Sequence, residues 1–219
     1  MEVQRLQDIH TIVIHNTETP RSDESSIRNV VTGHMEARGW PDVGYHFLIA
    51  RDSRDGHWKV YEGGPMEYVG AHAGRLHGRI PLNRGTIGIA LAGSYSWRTE
   101  AKKREIWQLL GKDERSTERG RQKYQQLLSQ YADPASPEAE RQPPRELVET
   151  LQRLVNVLLT NQKLPNLHKI RAHGALAATE LRPGMSSREQ FEYAINPDHT
   201  DCPGHGMIHL IEALQKRYE

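Results

Sequence analysis

Residues 9–17 read Ile9-His10-Thr11-Ile12-Val13-Ile14-His15-Asn16-Thr17. Ile9–His15 reads as a strand whose β-branched run suits a covered sheet position, and Asn16 to Pro20 breaks it. His15 closes the strand. Working outward, a helix is expected over Glu24–Arg38, with Val30, His34 and Ala37 on one face and Gly39 as its stop. Tyr45–Ala50 and Trp58–Glu62 read as strands joined by the turn Asp52–Gly56, a hairpin signal. Gly70–Gly85 is rich in Gly and His and reads as loop, followed by a strand over Thr86–Ala92. Leu147, Leu151, Leu154 and Leu158 recur at helical spacing, so a helix is expected over Arg145–Asn161. Lys169–His173 reads as a short strand, Ser187–Ala194 as a helix with Phe191 inward, and Gly206–Tyr218 as a terminal helix. That order predicts an α/β fold, a central mixed β-sheet flanked by helices.

Composition narrows the classes. The chain has 219 residues, of which 36% are hydrophobic, enough for one domain over 1–219 that buries roughly 70% of its unfolded surface. Lys and Arg number 29 against 28 Asp and Glu, a net charge of +1 that gives no mandate to bind nucleic acid. No run reaches the roughly 18 apolar residues of a membrane span, so no stable membrane insertion is expected. The N-terminal stretch lacks the order of a signal peptide, which reads as a chain made in the cytoplasm.

Residues 98–145 differ in character. Lys102-Lys103-Arg104-Glu105 and Lys112-Asp113-Glu114-Arg115 are charge-dense, and Asp133–Pro137 and Pro143-Pro144 are linker-like. Ile106, Leu109 and Leu110, then Tyr124, Leu127, Leu128 and Tyr131, suit two short amphipathic helices. The region reads as a charged helical insertion on the domain, its charges a solvated face. Any protein partner it docks is unknown.

A single cysteine excludes an internal disulfide. Cys202 is then a buried thiol, a metal ligand or a nucleophile. With His15 and His173, both at expected strand ends, it could complete two imidazoles and a thiolate, the donors of an open tetrahedral zinc site. Spacing alone does not decide this, because a histidine closing an apolar strand is more often packed than ligating.

Seven segments in order carry a resemblance: Val13–Thr17, Asp42–Ile49, Val60–Gly63, Val69–Ala73, Ile87–Gly93, His173 and Asp201–Gly204. Together they resemble the zinc-dependent N-acetylmuramoyl-L-alanine amidase family, which includes the short phage lysozymes of amidase type and the animal peptidoglycan recognition proteins. The resemblance implies Zn2+ held by His15, His173 and Cys202. It implies peptidoglycan as substrate, cut at the amide between the lactyl group of N-acetylmuramic acid and L-alanine. It gives Tyr45 the role of a donor to the developing oxyanion, and puts His72 in a loop along the substrate groove. His46, the next residue after Tyr45, is expected to be structural, and Asn16 to orient His15.

Two departures stand out. Thr200 occupies the place where the phage branch commonly has a lysine, so a hydroxyl without charge would donate there. The family spaces its last two ligands closely, whereas His173 and Cys202 are 29 positions apart here. The intervening insertion 175–199 is expected beside the cleft, where Arg182, Arg188 and Glu189 could touch the stem peptide. Ala90 and Ala92, with Cys202 as third ligand, put the chain nearest the phage lysozymes. The expectation is a phage endolysin, held in the host cytoplasm before lysis and acting on the cell wall after release. The alternatives are a recognition protein that binds peptidoglycan without cutting it, a regulatory protein docking through 98–145, and a thiol hydrolase with Cys202 as nucleophile and His173 as base.

Overall fold

The computed structural model describes residues 2–19, 22–76, 80–95, 110, 117–123, 143–176 and 202–219. Five strands form the main sheet: β1 (Thr11–Asn16), β2 (Phe47–Arg51), β3 (Trp58–Glu62), β6 (Thr86–Leu91) and β7 (Lys169–Ala172). They lie in the order β3-β2-β6-β1-β7. Only the β2–β3 hairpin is antiparallel, so the sheet is mixed. A separate two-stranded ribbon, β4 (Arg75–Leu76) with β5 (Ile80–Pro81), lies within the segment expected to be loop. Its strands are too short to leave a periodic signal.

All six residues of β1 and of β6 are buried, as β-branched runs in the centre of a sheet covered on both faces should be. Alternation sorts their side chains. Ile12, Ile14, Ile87, Ile89, Leu91 and Ile49 join the main core under two helices. Of these, α2 (Arg145–Leu159) packs over β2 and β3, and α3 (His205–Tyr218) over β7. The leucine stripe of α2 is the buried one, with Leu147 and Leu151 fully enclosed. Leu110, within the expected insertion, is 1% exposed and belongs to the same core. The rest of 98–142, apart from 117–123, and the helix expected at 187–194 lie outside the described residues.

The opposite face carries Val13 and, from β6, Ala90. One part of it is covered by α1 (Glu24–Val31), which packs on β2. Asp23 caps α1 by accepting the Ser25 N–H at 3.0 Å. The helix expected to reach Arg38 continues instead as a wider π turn over Thr32–Glu36. Another part is covered by the segment that carries Ala73 and Leu82, with Ala73 against Val13. The Asn83 side chain ties that segment, its Oδ1 accepting from the His72 and Ala73 N–H groups at 3.0 and 2.6 Å. No helix among the described residues is long and apolar enough to cross a membrane.

Candidate metal centre

Register brings the first two candidate ligands together. β1 and β7 are parallel neighbours with Ile14 opposite Ala172, so His15 and His173 emerge side by side at the carboxyl ends of adjacent strands. Their rings lie 4.5 Å apart between centroids. Cys202 arrives from the other direction, just before α3. Its Sγ accepts the Asn16 N–H at 3.2 Å and sits 3.8 Å from His15 Nδ1. Two further bonds fix that turn: Gly174 N–H to Cys202 O at 2.8 Å, and Asn16 Nδ2 to Pro203 O at 3.0 Å. Asn16 therefore positions the cysteine segment, where the sequence suggested that it orients His15.

One donor atom each from His15, His173 and Cys202 falls within 4.8 Å of the others. The donor set suits zinc: bonds of about 2.0 Å to nitrogen and 2.3 Å to sulfur at a tetrahedral angle would span about 3.5 Å, near the nitrogen–sulfur distance of 3.8 Å. Burial, reinforced by His173, His72 and His46, holds the His15 pKa well below its usual 6.5. Its imidazole is therefore neutral near pH 7 and has a lone pair to give.

Around the ligands lies a ring of aromatic groups. Tyr45, two residues before β2, stacks at an angle on His15 with centroids 5.1 Å apart. Burial raises its phenol pKa, and the charge on Cys202 adds to the effect. Tyr45 also walls an apolar cavity of about 230 Å³ with Trp40, Pro41, Tyr68 and Val69. His46 turns away and serves the backbone: its Nδ1 accepts the Gly88 N–H at 3.0 Å and its Nε2 reaches Tyr68 O at 3.1 Å. That is the structural role expected of it.

His72 is drawn inward. Its Nδ1 lies 3.0 Å from His15 Nε2 and its Nε2 lies 3.1 Å from Thr86 Oγ1. The residue is 6% exposed, and burial holds its pKa well below 6.5. Sequence reasoning did not find this pairing, because 57 positions separate the two histidines. The one available signal was Gly88, a residue without a side chain facing a histidine-bearing loop. Thr200, Arg182 and Arg188 lie outside the described residues.

The N-acetylmuramoyl-L-alanine amidase family model matches residues 5–205. The chain belongs to that family. Among curated relatives of this amidase-family chain, peptidoglycan-recognition protein SC1a of Drosophila melanogaster is 37% identical over 92 residues, 40% of this chain and 44% of the relative. Peptidoglycan recognition protein 1 of Bos taurus is 38% identical over 101 residues, 43% and 48%. The chain thus matches less than half the length of these relatives. Two solved structures share the fold. One is the ectodomain complex of peptidoglycan recognition proteins LCa and LCx bound to tracheal cytotoxin, with TM-score 0.53 and 21% identity, covering 97% of this chain and 86% of that one. The other is Drosophila PGRP-LB, with TM-score 0.51 and 19% identity, covering 97% and 85%.

Proposed function

We propose that the chain is a zinc-dependent N-acetylmuramoyl-L-alanine amidase that hydrolyses the lactyl–L-alanine amide of peptidoglycan. The observation that carries this reading is the convergence of His15, His173 and Cys202 on one point at the carboxyl end of the sheet. Zinc held there supplies a Lewis acid for the amide carbonyl and a water whose pKa falls from 15.7 toward about 7. The chain's own residues do the rest. Tyr45, kept protonated by its raised pKa, donates its hydroxyl hydrogen to the oxygen that gains charge. Thr200 is assigned a weaker donation to the same oxygen, and Arg182 and Arg188 contacts to the acidic stem peptide. His72, expected along the substrate groove, is given a different task below. We further assign the chain to the phage endolysins, held in the host cytoplasm until lysis. Cys202 as third ligand and the uncharged Ala90 support that assignment.

The test is digestion of purified murein with the zinc-loaded protein. New L-alanine amino termini, without new reducing sugar ends, are expected. Broken glycan strands with intact lactyl–peptide links would overturn the reading. Binding of muropeptides with no cleavage would favour a recognition protein.

A further inference from the structure

We propose that His72 and Thr86 form a hydrogen-bonded relay that locks His15 in the one tautomer able to bind metal through Nδ1. The inference rests on the metal-binding reading of His15, His173 and Cys202.

The polarity of the chain can be read from its far end. The Thr86 hydroxyl lies 2.7 Å from the carbonyl oxygen of Asn83, which can only accept, so the hydroxyl hydrogen is spent there. Thr86 Oγ1 is then an acceptor, and the group 3.1 Å from it, His72 Nε2, must carry the hydrogen. A neutral imidazole has one N–H, so His72 Nδ1 holds a lone pair. That lone pair faces His15 Nε2 at 3.0 Å, and the contact requires His15 to donate from Nε2. His15 Nδ1 is left unprotonated, and it is the atom that looks toward Cys202 Sγ. Reading from the metal end gives the same order. A neutral His15 that ligates through Nδ1 must carry its hydrogen on Nε2, and needs an acceptor buried with it.

The relay has its own structural support. Thr86 opens β6 and is 2% exposed. Asn83 Oδ1 meanwhile binds the backbone N–H groups of His72 and Ala73, so the residue whose carbonyl ends the relay also anchors the loop carrying His72. His72 is thus a positioning residue: it acts through His15 and orients a ligand, as outer partners of metal-bound histidines do.

Two measurements test this. Nitrogen-15 NMR of histidine-labelled protein, as purified, reads each ring's tautomer directly. His72 is expected with hydrogen on Nε2 and a bare Nδ1; a hydrogen on Nδ1 overturns the relay. The second measurement is zinc affinity by competition with a chromophoric chelator. Thr86→Val keeps the shape of the side chain but removes the acceptor. His72 is then free to place its hydrogen on Nδ1, against His15. A 10- to 100-fold weaker zinc affinity is expected, about the size found for such outer partners. Thr86→Ser restores the hydroxyl and should restore the affinity. Unchanged zinc affinity in a folded Thr86→Val protein overturns the proposal. Wild-type protein that takes up no zinc would overturn the metal reading itself, whereas zinc uptake with His72 in the other tautomer overturns the relay alone.

Discussion

The imidazole of His72 occupies the space that a side chain at Gly88 would need. A Cβ built on Gly88 would fall 2.5 Å from His72 Cγ and 2.6 Å from Cδ2. The glycine is required here by the close approach of the His72 loop to the sheet face. Gly88→Ala should therefore push His72 away from His15 and destabilise the fold by about 1–3 kcal/mol, the usual cost of overpacking. Denaturant unfolding measures the loss, and chelator competition should show weaker zinc binding in the same variant.

The local patterns were legible because they are periodic. β1, the β2–β3 hairpin, β6, α2, β7 and α3 were all read within a few residues of their observed bounds. The strand expected from Tyr45 starts at Phe47, although the His46 backbone already bonds Gly88 O and the Gly63 N–H. The three candidate ligands were legible only through the ordered family motifs, since a histidine at a strand end has no periodic signature. The His15–His72–Thr86 contacts were not legible. They join residues from two strands and a loop, and only sheet register brings them together.

Zinc should be bound at one ion per chain and lost largely in Cys202→Ser. Free zinc at a hundred times its Kd stabilises a native state by about 2.7 kcal/mol. Chelation should therefore lower the melting temperature by roughly 5–10 °C for a domain of this size. Elemental analysis and thermal melts with and without chelator check both statements. Tight, stoichiometric zinc in Cys202→Ser would exclude the thiolate as a ligand.

Leu110 tests the expectation that 98–145 is an insertion on the surface of the domain. It is 1% exposed and packs in the main core. Leu110→Ala should cost about 2–5 kcal/mol, as buried leucine truncations do. Replacement of the whole region by a Gly/Ser linker should then lower stability by at least that much. A neutral Leu110→Ala, measured by denaturant unfolding, would mean that this part of the chain does not complete the core.

His46 should make the metal-free protein sensitive to acid. Burial lowers its pKa from 6.5 in the folded state, and protonating Nδ1 would break the bond from Gly88 N–H. The unfolded chain therefore binds more protons below pH 6.5, and stability falls as pH drops through that value. Above it, His46 contributes no pH dependence. The slope from one such group is at most about 1.4 kcal/mol per pH unit. His46→Asn, whose Oδ1 can take the place of Nδ1, should reduce the slope between pH 5 and 6.5 by up to that amount, leaving the part due to the buried His15 and His72. A variant with an unchanged slope would show that the acid sensitivity arises elsewhere.

Tyr45 separates donation from metal binding. Its ring touches His15 but supplies no ligand atom, and its raised pKa keeps the hydroxyl protonated and unable to act as a base at neutral pH. Tyr45→Phe removes the hydroxyl and keeps the ring. Zinc content and KM should stay close to wild type. Loss of one oxyanion donor costs about 2.7–4 kcal/mol, so kcat on soluble muropeptides should fall roughly 10²- to 10³-fold. A rise in KM with kcat unchanged would instead make the Tyr45 hydroxyl a substrate-binding contact. Unchanged kcat at full zinc occupancy would remove its hydroxyl from the mechanism and leave Thr200 as the next donor to test, with Thr200→Val expected to cost about tenfold.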